Sequence, residues 1–114
     1  MCNNDTVRGV YGYTIAGTTP TGQVIGVGVR KYDGQGNFTQ VDTVIGGIGG
    51  TTVDTPGSGT YTVNSDCTGT MFLSRLGAPG LAEVRFVVVN DGKEIRWIVL
   101  FPPGATVTGN AVRQ

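Results

Sequence analysis

The chain has 114 residues, eight basic and eight acidic side chains, two cysteines and no histidine; charged residues make up 14% against a usual ~25%. That length makes one domain, long enough to bury roughly two-thirds of its unfolded surface. Balanced charge offers no basic footprint for nucleic acid and no pull toward anionic membranes or acidic substrates, and the lack of histidine excludes Ser-His-Asp and Cys-His catalysis and histidine metal sites.

Residues 1–6 (MCNNDT) form a polar N-terminal tail, and residues 7–114 read as a single β domain. Residues 7–17 (VRGVYGYTIAG) alternate as a strand, with Tyr11, Tyr13 and Ile15 on one face and Gly12, Thr14 and Ala16 on the other. After turn chemistry at 18–22, residues 23–32 set Ile25, Val27 and Val29 against Gly26 and Gly28, and glycine repeated on one face of a strand permits the coiling that small barrels need. The loop 33–37 leads to a third strand, 38–45, whose inward face is ambiguous: Thr39, Val41, Thr43 and Ile45 oppose Phe38, Gln40, Asp42 and Val44. Residues 46–50 (GGIGG) are expected to be the most flexible stretch, and Pro56-Gly57-Ser58-Gly59 to form a turn between a short strand at 51–54 and another at 60–64. Asp66 and Cys67 fall in the turn 65–68, and residues 69–76 form the next strand before a turn at 77–80.

The clearest signal lies in residues 82–101, AEVRFVVVNDGKEIRWIVLF. Asp-Gly between β-rich runs predicts a hairpin, because a type I′ turn needs φ > 0 at both central residues. Counting from Asp91-Gly92 sets Val88 opposite Ile95, Phe86 opposite Trp97, Val84 opposite Val99 and Ala82 opposite Phe101, an apolar face throughout. With Tyr13, the residues Val84, Phe86, Val88, Ile95, Trp97, Val99 and Phe101 are the expected core. A last strand covers 106–112. No segment carries sustained helical spacing with a cap. The predicted fold is all-β: an antiparallel up-and-down meander of about eight or nine strands closed into a small barrel, with a two-sheet sandwich as the alternative.

Chemical motifs are sparse. Asp33, Asp66 and Asp91 sit in turns, where aspartate caps backbone N–H groups. Glu83, Arg85, Glu94 and Arg96 share one hairpin face, which is either a solvated face with weak ion pairs or the lining of a cavity. Together with Asp42 on the third strand, these four are the candidate ligand-facing residues. No catalytic residue, metal site or cofactor is indicated, and an enzyme is the less favoured class.

Three readings of Cys2 and Cys67 are open. They can bridge, closing a loop that stabilises by ~4 kcal/mol in the chain-entropy model; they can be free thiols; or Cys2 can be the lipid-modified first residue of a bacterial lipoprotein. Met1 directly precedes Cys2 with no signal peptide and no apolar run of spanning length, so the expected setting is a mature chain that is secreted, periplasmic or on the outer bacterial surface.

Three blocks, RGVYGY at 8–13, DGQGN at 33–37 and GTYTVNSDCTGT at 59–70, together resemble a family of small exported bacterial β-proteins of unknown function. The resemblance implies a bridge between Cys2 and Cys67 and transfers no catalytic residue. At fold level the chain is similar to calycin and allene-oxide-cyclase-type barrels, which fixes no function. The expectation is a non-enzymatic secreted or surface-exposed binding domain, met by a host as an antigen, with a host protein or a small apolar ligand as partner. A lipocalin-like carrier and a cofactor-free isomerase or cyclase are the alternatives. An interior packed solid by Tyr13, Phe86 and Trp97 would remove both alternatives, and an apolar cavity of ~300 Å³ or more would favour them.

Overall fold

Inward and outward side chains alternate through eight antiparallel strands: β1 (Arg8–Thr19), β2 (Gly22–Asp33), β3 (Asn37–Gly46), β4 (Thr52–Val63), β5 (Thr68–Arg75), β6 (Ala82–Val89), β7 (Glu94–Phe101) and β8 (Thr106–Arg113). This is a computed structural model that describes residues 1–47, 50–76, 78 and 80–114. Each strand pairs with the next, and β8 returns to β1 from Thr18 opposite Thr106 to Tyr11 opposite Arg113. The sheet is therefore a closed up-and-down barrel and not a sandwich, and closure leaves no strand edge unpaired. The expected loops at 46–50 and 77–80 lie partly outside the described residues.

The β6–β7 hairpin pairs Val88 with Ile95, Phe86 with Trp97 and Val84 with Val99. At its corner Asp91 (φ 56, ψ 39) and Gly92 (φ 86) take the left-handed pair of a type I′ turn, and the Lys93 N–H donates to the Asn90 carbonyl at 3.1 Å. Four residues on, the count fails. The register shifts between Glu83 and Val84, so Phe101 lies opposite Glu83 instead of Ala82. The extra residue turns Phe101 out of the expected core, and it is 53% exposed. Val99 is partly buried against the core; Tyr13, Val84, Phe86, Val88, Ile95 and Trp97 are buried.

One further expectation is corrected. Pro56-Gly57-Ser58-Gly59 is not a turn but the middle of β4. Gly59 lies where a Cβ would stand 2.6 Å from the Phe38 ring, so its missing side chain admits a core aromatic. Pro56 is tolerated close to the irregularity between Asp42 and Val44, where the ladder with β3 is already broken. On β2 the glycine face points inward and Ile25, Val27 and Val29 point out, each about half exposed.

The two barrel ends differ. At one end the N-terminal residues are docked. Asn3 caps a 3-10 turn at Asn4–Thr6, the Asn4 side-chain oxygen accepts from the Val63 N–H at 2.7 Å, and the Tyr61 hydroxyl donates to the Val7 carbonyl at 2.7 Å. A disulfide joins Cys2 to Cys67, with 5.1 Å between the Cα atoms. Val7 is fully buried, so this end is sealed. The other end, at the β1–β2, β3–β4, β5–β6 and β7–β8 connections, is open among the described residues.

Candidate functional site

Below the open end the barrel holds a cavity of about 190 Å³. Its upper wall is aliphatic: Val24, Val44 and Val107 form a small buried cluster, with Ile15, Val99 and Ala105 packed against it. Its floor is the top of the main core, where Tyr13, Met71 and Trp97 meet a group of polar side chains.

Those polar side chains, Arg30, Gln40, Asp42 and Arg75, come from three strands. Arg30 follows Gly26 and Gly28 on the inward face of β2, and it is 3% exposed. Its Nε donates to Gln40 Oε1 at 2.9 Å and its Nη1 to the Tyr32 hydroxyl at 3.1 Å. Aromatic rings surround the guanidinium, with Tyr13 at 4.5 Å, Trp97 at 4.7 Å and Phe38 at 5.0 Å from its carbon to each ring centre. Such contacts partly offset the desolvation of a buried cation. Asp42, on β3, is equally enclosed. It accepts from the Tyr13 hydroxyl at 2.8 Å, from Gln40 Nε2 at 3.1 Å and from Arg75 Nε at 2.8 Å. Arg75 ends β5 at the mouth side, where its Nη2 also donates to Thr52 Oγ1. Gly28 makes the cluster possible, because a Cβ there would stand 2.6 Å from Asp42 Cβ and 2.8 Å from the Tyr13 ring.

Burial pushes the Tyr13 phenol well above its ordinary range; Arg30 opposes that shift and Asp42 adds to it. Tyr13 is therefore a hydrogen-bond donor at neutral pH. Both Asp42 oxygens are engaged, which makes this carboxylate a fixed acceptor and leaves it poorly placed to take a proton from a substrate.

Of the candidate ligand-facing residues, only Asp42 lines the cavity. Glu83, Arg85, Glu94 and Arg96 lie on the outside of the barrel, because their parity on β6 and β7 is opposite to that of Phe86 and Trp97. They pair along their own strands, Arg85 with Glu83 at 2.7 Å and Arg96 with Glu94 at 3.2 Å. Arg30, Gln40 and Arg75 belong to the site without having been singled out in the sequence. Parity carried the missing signal: Arg30 shares a face with Gly26 and Gly28, and Gln40 with Asp42.

No protein-family model and no curated protein matches the chain. Among solved structures, the redesigned beta barrel b11L5F_LGL superposes with a TM-score of 0.70 at 15% identity, covering 100% of this chain and 97% of that one. A second redesigned beta barrel, mFAP1 bound to DFHBI, superposes with a TM-score of 0.70 at 17% identity, covering 96% of this chain and 97% of its own. At these identities the likeness is one of fold.

Proposed function

We propose that the protein is a non-enzymatic binding barrel that takes a small, largely apolar molecule through its open end. The observation that carries this reading is the contrast between the two ends: a sealed, aromatic half below, and above it a cavity of about 190 Å³ with aliphatic walls and a small convergent polar floor. That is the usual make-up of a ligand site, at less than the usual size of ~300–1,000 Å³. A barrel of the same fold holding DFHBI supports a binding role for this architecture. The engaged state of Asp42 favours binding over the cyclase alternative. Export from a bacterium, and membership in the exported family that the three sequence blocks resemble, are part of the proposal. The Cys2–Cys67 disulfide supports them, since such bridges persist in oxidising compartments.

Trp97 is the sole tryptophan and lines the cavity, so its emission reports occupancy. Titration with naphthalene, a small neutral probe, is expected to change Trp97 fluorescence saturably. Val99→Phe, which fills the cavity, is expected to abolish the change while the barrel stays folded by circular dichroism. A wild-type protein whose emission does not respond, and which carries no retained molecule in native mass spectrometry after purification from its host, would overturn the reading.

A further inference from the structure

Three charged side chains line the cavity among the described residues: Arg30, Asp42 and Arg75. Two are cations that cannot shed their protons, and one is an anion. Asp42 is committed to Arg75 through an ion pair at 2.8 Å, with the two side chains 4% and 15% exposed. Arg30 forms no ion pair among the described residues. Its hydrogen bonds use Nε and Nη1, directed to Gln40, Tyr32 and Met71, and none of them uses Nη2. A guanidinium 97% removed from solvent, with a free donor and no counter-charge of its own, therefore sits at the floor of the cavity, below its aliphatic upper wall. Burying a cation without a paired anion is costly, and the ring faces around Arg30 offset only part of that cost. A ligand bringing one negative charge would balance the site and satisfy the free donor. The Arg30 guanidinium at the floor and the Arg75 guanidinium at the mouth side, both lining the cavity, also match a carboxylate, whose two oxygens accept from planar N–H donors.

Building on the binding reading above, we infer that the cavity is shaped for a small amphipathic monoanion, with one carboxylate received by Arg30 and Arg75 and an apolar body against Val24, Val44, Val99 and Val107. Tyr13 stays a donor in this arrangement and holds Asp42 through its Oδ2. The same arithmetic disfavours cations, which would add to an uncompensated positive charge.

The test is a matched series with one hydrocarbon body: octanoate, octanol and octylamine, titrated into the full chain at neutral pH and followed by Trp97 fluorescence and calorimetry. Octanoate is expected to bind about tenfold or more tightly than octanol, the worth of one charge-assisted hydrogen bond, and octylamine more weakly than either. Arg75→Gln removes one positive charge and is expected to erase the preference for octanoate; Arg75→Lys is expected to retain most of it. The wild-type series decides even if Arg75→Gln does not fold. Octanol binding as tightly as octanoate would overturn the anion inference and leave the neutral binding barrel standing. Failure of all three compounds together with naphthalene would overturn both.

Discussion

Asp42 shows how much one side chain can depend on its surroundings. It sits in the interior because three donors from three other positions converge on it: the Tyr13 hydroxyl, the Gln40 amide and the Arg75 guanidinium. Removing the carboxylate leaves the buried Arg30 and the partly buried Arg75 with no anion between them. Asp42→Ala is expected to cost ~3–5 kcal/mol of stability in urea denaturation, the usual penalty for breaking a buried pair. Glu83→Ala, which removes one partner of an exposed pair, is expected to stay within ~1 kcal/mol. Equal losses for the two variants would mean that water reaches the cluster and that it is no interior site. Asp42 was a candidate in sequence as an acid on the third strand, but whether its face, shared with Phe38 and Val44, looks inward was not legible there. Arg30 and Arg75 were not candidates, since a strand arginine is ordinarily outward and its burial depends on partners from other strands.

Among the elements, the β6–β7 hairpin was the most readable, and its turn does more than reverse the chain. Gly92 combines φ 86 with a position where a Cβ would stand 2.3 Å from the Thr6 carbonyl, and its own carbonyl accepts from the Tyr11 hydroxyl. The corner of this hairpin therefore packs on the docked N-terminal segment. Gly92→Ala meets both a disfavoured backbone conformation and a backbone clash, so its cost is expected to exceed ~1 kcal/mol. Hydrogen exchange is expected to quicken at Val7 and Val63 as well as at Lys93. Faster exchange confined to the turn would separate the hairpin from the seal. The strand β4 was the least readable element. Pro-Gly-Ser-Gly has the composition of a turn, yet Gly59 is there because the Phe38 ring needs its space.

For the molecule as a whole, the sealed half predicts a distinctive response to base. All four tyrosines, Tyr11, Tyr13, Tyr32 and Tyr61, are buried, and burial raises each phenol above its ordinary value of 10.0, Tyr61 to about 12. The folded state thus holds protons that the unfolded chain releases near pH 10. Stability from this source is complete below that pH and falls as pH rises toward and beyond about 12. Tyrosinate absorbance is expected to be absent near pH 10 and to appear in one step with the loss of Trp97 fluorescence. Tyrosinate growing in while the barrel remains intact would show that the core is wet. At the acid end, the exposed Asp33 and Asp66 have carboxyls held below 3.8 by hydrogen bonds, from the Asn37 and Gln35 N–H groups and from the Thr68 hydroxyl and N–H respectively. Their contribution is present above that value and is lost as pH falls through their lowered folded values.

The sequence by itself determined an all-β chain, a meander of short connections, the register of the central hairpin near its turn, and a core holding Tyr13, Phe86 and Trp97. These follow from local rules, namely period-two alternation and the φ demands of Asp-Gly. Only the tertiary structure decided which face of β2 and β3 looks inward, that Phe101 is turned out, and that Arg30, Gln40, Asp42 and Arg75 meet beneath an open mouth. The physical reason is closure. A barrel gives every strand two neighbours and one interior, so whether glycine or valine faces inward depends on what the facing strands must accommodate, here the Tyr13 ring and the Asp42 carboxylate above Gly28.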